Sequence, residues 1–241
     1  MSVAETLPRG RPFYGVDVGI VLLDTDLPRP HGDVGNATSF DFPVAYEVAR
    51  AADPETVVER GADGLLGTVV EAAERLIATG VRGVATCCGF LAIFQQELAA
   101  KLPVPVATSS LLQVPQVLTL LSPRERVAVL TASGRGLDNR HLSGVGISAA
   151  DAQRLTIVGL EHTDHFYPVI IEGRGDLDVG RAHQQVVDTA QAAVRRDPDI
   201  AAFVFECTNL PPYSEAVRRV TGRPVWDAVS LIRWLHQAVA A

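Results

Sequence analysis

Sulfur and lysine are nearly missing from this chain, and so is any long apolar run. Cysteine occurs three times, at Cys87, Cys88 and Cys207, without a CxxC pair or a His-rich spacing. That excludes a disulfide framework and argues against a zinc site. Lys101 is the single lysine and falls between a predicted helix and strand, a poor place for Schiff-base chemistry. No stretch of about eighteen apolar residues occurs, so no membrane-spanning helix is expected. The opening "MSVAETLPRGRPFYG" is polar and broken by Pro and Gly, unlike a signal peptide, and the expected location is cytoplasmic. A net charge of −7 and a pI near 5.3 argue against a nucleic-acid partner, which would want a basic face, and with no long apolar run no membrane partner is expected either. What remains is 47% hydrophobic, with mean hydropathy +0.18 over 241 residues. That is ample core for one large α/β domain or two small lobes.

The apolar material has a rhythm. Runs of four to eight residues alternate with amphipathic segments, as in parallel βαβ units. The pattern predicts strands over Val16–Leu23, Val81–Cys87, Val104–Ala107, Arg126–Thr131, Arg154–Gly159, Ala201–Glu206 and Arg223–Asp227. It predicts helices over Ala62–Thr79, Leu91–Leu102, Ser109–Leu121, Leu177–Arg195, Ser214–Thr221 and Ala228–Val239. The segment from Asp24 to Pro43 is polar and has neither period. A loop that long in a compact domain is more often functional than idle, and this one, with Asn36 and Pro43, is expected to close over the site.

The surroundings of two cysteines repeat. Pro105-Val106 stands seventeen residues beyond Cys88, and Pro224-Val225 seventeen beyond Cys207. An apolar strand precedes each cysteine; a helix, a short Pro-Val strand and another helix follow it. Such order within matched spacing indicates an internal duplication. The expected architecture is α/β, with two pseudo-symmetric Rossmann-like lobes built on parallel sheets and an active site in the cleft between them. Residues 14–122 form the first lobe, joined by a C-terminal helix at 228–241, and residues 123–227 form the second.

Ligands of open α/β sheets collect beyond the carboxyl ends of the strands, where both Cys88 and Cys207 are placed. Oriented backbone N–H groups there favour a thiolate. If the lobes face each other, two matched acid/base groups flank one substrate, the arrangement that inversion of a carbon centre requires. The seventeen-residue offset pairs Cys88, not Cys87, with Cys207 and aligns Cys87 with Glu206. Alternation along the strand points Cys87 the other way, toward packing.

The segments "ATCCGFLAIFQQELA", "FECTNLPPY" and "LLDTDLPRPHGDVGNATSFDFPVAYEVAR" resemble the aspartate/glutamate racemase superfamily, which also holds hydantoin racemases, arylmalonate decarboxylases and maleate isomerases. The likeness runs from about Gly15 to Trp234. The second motif, "CTN", matches well; after the first cysteine the amino-acid racemases carry Asn-Thr, where Gly89-Phe90 stands here. The resemblance implies catalysis without a cofactor or metal, with Cys88 and Cys207 exchanging the roles of thiolate base and thiol acid on a small carboxylate, an amino acid or hydantoin-like molecule. Thr208 and Asn209 then bind substrate in the second lobe, and Gly89 and Phe90 offer backbone donors in the first. Asp24 and Thr25, matched by Thr131 and Ser133, occupy positions that in the family contact polar groups of the substrate.

The main expectation is thus an isomerase, a racemase or epimerase. Its nearest rival is a decarboxylase, a carbon–carbon lyase, or a cis–trans isomerase of the same superfamily. A Cys–His hydrolase is disfavoured because no histidine occupies matched positions; His31, His162 and His165 are read as loop residues. A two-lobed binder without activity has no need of paired thiols. A homo-oligomer is compatible with the pattern and is not specified by it.

Overall fold

The computed structural model describes residues 10–59, 62 and 64–240. The remaining positions, among them residue 63 of the helix predicted over 62–79, residue 241 and most of the polar N-terminal stretch, lie outside it. The first sheet contains β1 (Val18–Leu23), β2 (Val44–Ala49), β3 (Gly83–Thr86) and β4 (Val106–Ala107), in the order β2-β1-β3-β4. The second contains β5 (Arg126–Thr131), β6 (Leu155–Gly159), β7 (Ile200–Phe205) and β8 (Val225–Trp226), in the order β6-β5-β7-β8. Every pairing is parallel, and the two orders are the same order. The fold is therefore α/β with two Rossmann-like lobes.

The helices of the first half are α1 (Pro54–Glu59), α2 (Leu66–Thr79), α3 (Gln95–Lys101) and α4 (Val114–Leu120). Those of the second are α5 (Asn139–Gly144), α6 (Ala149–Ala152), α7 (Phe166–Ile170), α8 (Val179–Arg196), α9 (Ser214–Thr221) and the final α10 (Ala228–Val239). Helices on both faces explain why the central strands are unbroken apolar runs: Val127, Ala128, Val129 and Leu130 are all fully buried. In α2 the buried positions Val69, Ala72, Ala73 and Leu76 recur at helical spacing. Leu76 fits over Gly19 of β1, where an added Cβ would stand 3.0 Å from it. The capping box of Asp227 and Ser230 starts α10, whose Leu231, Ile232 and Leu235 pack with Val18, Ile20 and Ala85 of the first sheet. Among the described residues no helix is long and apolar enough to cross a membrane.

Several elements differ from the sequence reading. Val44–Ala49 is an edge strand where none was expected; its mostly half-buried "VAYEVA" alternates weakly because only one neighbour, β1, pairs with it. The short α1, α5, α6 and α7 are also additions, too brief for a periodicity signal. The helices predicted over 91–102 and 109–121 each open as a 3-10 turn, at Gly89–Phe94 and Ser110–Gln113. In the second case Pro115 sits in the first turn of α4, where its missing N–H costs nothing.

Candidate active site

β3 and β7 hold equivalent places in the two sheets, and the chain leaves the carboxyl end of each at a cysteine. Cys88 is extended, with φ −161° and ψ 117°, and caps the 3-10 turn that follows. Cys88 and Cys207 line one cavity of about 30 Å³, together with Cys87. All three thiols are free. The backbone N–H groups of Phe90 and Leu91 follow Cys88 and that of Asn209 follows Cys207, and each acts to lower the proton affinity of its thiol. The Cys207 thiol itself donates to Asn209 Oδ1 at 3.7 Å. Those donors favour thiolates, but burial raises both thiols, and the charge of Glu206 raises both further.

Cys87 is not directed away from the site. Side chains do alternate, since Cys87 packs with the cluster that holds α10 and Cys88 with the opposite one. The cavity lies across the end of the strand, however, and touches both faces. The Cys87 sulfur accepts a hydrogen bond from Arg29 Nη1 at 3.4 Å and stands 3.7 Å from the Thr208 hydroxyl.

Among the expected binding residues, Thr25, Gly89, Phe90, Thr208 and Asn209 line the cavity. Thr208 donates to the Cys87 carbonyl at 3.1 Å, and Asn209 Nδ2 donates to Asp33 at 2.7 Å, both across the lobe boundary. Asp24, Thr131 and Ser133 are not in the cavity wall. The Asp24 carboxylate accepts from the Ala51 N–H and faces Arg50; Ser133 accepts from the Gly136 N–H. Thr131 is one step removed, donating to Glu206 Oε2 at 2.7 Å. His31 pairs with Thr38, His162 with Thr189, and His165 accepts from the Asp178 N–H; none lines the cavity.

Three polar residues escaped the sequence reading. Arg29 lines the cavity and forms an ion pair with Asp33, its Nη1 3.2 Å from Oδ1. Burial opposes its charge, but Cys87, Asp33 and Cys207 hold its pKa above the ordinary value. Asp33 is fully buried and also accepts the Gly35 N–H at 2.7 Å. The loop carrying both is fastened by Asn36 Nδ2 to the Arg29 carbonyl and by the Ser39 hydroxyl to the Asp33 carbonyl. No periodicity could reveal this loop, because its order comes from side chain to backbone bonds. The third residue is Glu206, fully buried and lining the cavity. A carboxylate at the end of the apolar run "IAAFVFEC" was its available signal.

The rest of the wall is apolar: Leu23, Leu27, Val58, Ile170 and Ile171. One cationic group, backbone donors and a sulfur from each lobe around a small apolar space suit removal of a hydrogen beside a carboxylate.

No protein-family model matches the chain. It is 34% identical over 229 residues to dimethylsulfoniopropionate lyase 7 of Emiliania huxleyi, covering 88% of this chain and 64% of that one. It is 30% identical over 244 residues to the dimethylsulfoniopropionate lyase of Durusdinium sp. clade D, covering 95% and 79%. The chain spans less than two thirds of the Emiliania huxleyi lyase 7. Among solved structures, glutamate racemase of Bacillus anthracis superposes with a TM-score of 0.59 at 13% identity, over 93% of this chain and 83% of that one. Unliganded arylmalonate decarboxylase does so with a TM-score of 0.56 at 20% identity, over 93% and 92%. At these identities the structural likeness is one of fold.

Proposed function

We propose that this chain, which belongs to the aspartate/glutamate racemase superfamily and within it to the family of the dimethylsulfoniopropionate lyases, is itself a lyase that eliminates a sulfide from a small sulfonium carboxylate. The observation that carries the reading is the opening of Cys88 and Cys207, from equivalent strand ends, onto one cavity. The curated relatives favour the lyase alternative over the isomerase expected first. For a sulfonium substrate the bond cleaved is carbon–sulfur rather than the carbon–carbon bond of a decarboxylase.

The substrate carboxylate lies toward Arg29 and the N–H groups after the cysteines. Cys88, followed by the backbone N–H groups of Phe90 and Leu91, which act to lower its proton affinity, is the base. Its thiolate takes the α-hydrogen: the C–H bond breaks as S–H forms, and charge passes into the carboxylate as an enediolate. The Cys207 thiol is the donor available to that developing charge. The enediolate then collapses to a carbon–carbon double bond as the carbon–sulfur pair leaves on sulfur. From dimethylsulfoniopropionate this yields acrylate and dimethyl sulfide. The sulfide departs neutral and needs no acid, and apolar walls accept its methyl groups. Racemisation shares the first step and differs afterwards, because the opposite thiol returns the proton.

The test is incubation of the full chain with dimethylsulfoniopropionate, following dimethyl sulfide by gas chromatography and acrylate by NMR. Equal amounts of both are expected. Neither product, together with loss of optical rotation from a chiral amino acid or hydantoin, would overturn the lyase reading in favour of a racemase.

A further inference from the structure

Glu206 has no role in the mechanism above, yet its position is unusual. It is the chain neighbour of Cys207 and packs against Gly89, the chain neighbour of Cys88. A Cβ built on Gly89 would stand 2.2 Å from Glu206 Oε1 and 2.2 Å from its carbonyl oxygen. With no side chain at Gly89, a carboxyl from the opposite lobe fills that space. Thr131 satisfies Oε2, whereas Oε1 is buried without a hydrogen-bond partner among the described residues. The groups facing the carboxyl are Thr131 from β5, Gly89 and Cys88 from the first lobe, and Cys207 beside it. The other charged groups of the cavity region are Arg29 and Asp33, which are paired with each other.

We propose that Glu206 is the proton-holding partner of the Cys88–Cys207 pair: its carboxylate takes the proton a thiol must lose to become a base, so that the cluster carries one negative charge at a time. The inference rests on reading Cys88 and Cys207 as the reacting thiols. In the empty site the charge resides on Glu206 and both thiols are protonated, since two anions so close in an apolar cavity repel. When the base forms, an S–H bond breaks and an O–H bond forms on Oε1. The thiolate then becomes a thiol again by taking the α-hydrogen. After the products leave, Glu206 releases its proton to solvent. Elimination of a neutral sulfide from a zwitterion liberates one proton overall, and this cycle delivers that proton. The raised affinity of Glu206 for its proton, to a pKa of about 7, suits the exchange.

The test is E206Q in the full-length protein, an isosteric change that keeps an oxygen for Thr131. Alkylation of Cys88 and Cys207 by iodoacetamide, resolved by mass spectrometry, is measured against pH without substrate. Loss of the neighbouring anion should move the alkylation midpoint of at least one of these thiols down by about one pH unit, roughly a tenfold faster reaction below the midpoint. Turnover should fall at least about tenfold, and its ascending pH limb should then track the alkylation curve instead of the carboxyl. T131V, which removes the donor to the carboxylate, should shift the wild-type ascending limb to higher pH and decides the matter if E206Q does not fold. Unmoved alkylation midpoints, a wild-type pH profile in both variants, or a change in KM alone would overturn the proposal. Because alkylation needs no substrate, a shifted midpoint without dimethyl sulfide production supports the proton exchange while refuting the lyase reading.

Discussion

A carboxyl group with one oxygen bonded and the other bare is costly to ionise away from water. Burial lifts Glu206 from an ordinary 4.5 to about 7, against the opposing hydrogen bond from Thr131. The folded state therefore binds this proton more tightly than the unfolded chain does. The resulting stability is fully present below about pH 4.5 and is lost as pH rises through about 7, on the order of 3 kcal/mol across that interval. Urea unfolding of wild type and E206Q at about pH 5 and about pH 8 checks the sign. Wild type should lose stability relative to the glutamine variant as pH rises; parallel curves would contradict it. Burial raises Asp33 as well, but it is opposed in this by Arg29 and Asn209, both of which need the carboxylate. D33A leaves the mostly buried Arg29 without its counter-ion and should cost about 3 kcal/mol in denaturant unfolding. A loss below about 0.5 kcal/mol, the size of an ordinary surface change, would show that the pair is solvated. Spacing alone placed the two cysteines at matched strand ends, and the two sheets do share one strand order. Arg29 and Asp33 were invisible as site residues, since what ties their pair to the site is Cys87 and Asn209, distant in sequence and joined only by the fold.

The turn after β3 depends on having no side chain at its first residue. G89A brings a methyl group into contact with a backbone carbonyl that cannot swing aside, so the lobes must part or the turn must shift. Overpacking of this kind costs about 1–3 kcal/mol. The thermal midpoint should fall accordingly, and the E206A/G89A double variant should recover little of the loss, because the carbonyl remains. Full recovery would assign the clash to the side chain alone. The long loop between β1 and β2 makes a related point. Its lack of period marked it as a functional loop, and the structure shows it supplying Thr25, Leu27 and Arg29 to the cavity wall. What the sequence could not reveal is the edge strand directly after it, since β2 is half-buried and pairs on one side only. The helices predicted over 91–102 and 109–121 each begin as a 3-10 turn just beyond β3 and β4. The bounds of α9 and α10, by contrast, follow directly from periodicity, with a clear stop for α9 at the left-handed Gly222.

The two lobes share one buried apolar cluster, in which Leu111 and Val114 of the first half stand with Val127, Val129 and Val204 of the second, and polar bonds join them at the site. Thr208 reaches the Cys87 carbonyl, Asn209 reaches Asp33, and the Ser110 hydroxyl donates to the Phe205 carbonyl. Gln113 adds a bond to the carbonyl of Asp227. Such bonding, with α10 packed on the first sheet after the chain has built the second, couples the halves. Calorimetry should therefore show one cooperative transition whose van't Hoff and calorimetric enthalpies agree; two separated transitions would show independent lobes. The same coupling sets the geometry of the site, since the first lobe brings Cys87 and Cys88 and the second brings Cys207 to the shared cavity. The most direct test is turnover of dimethylsulfoniopropionate by the three single Cys→Ser variants. C88S and C207S should each lose about 10²–10⁴-fold in kcat, and C87S should lose clearly less than either. A C88S or C207S protein that releases dimethyl sulfide at the wild-type rate would contradict the account.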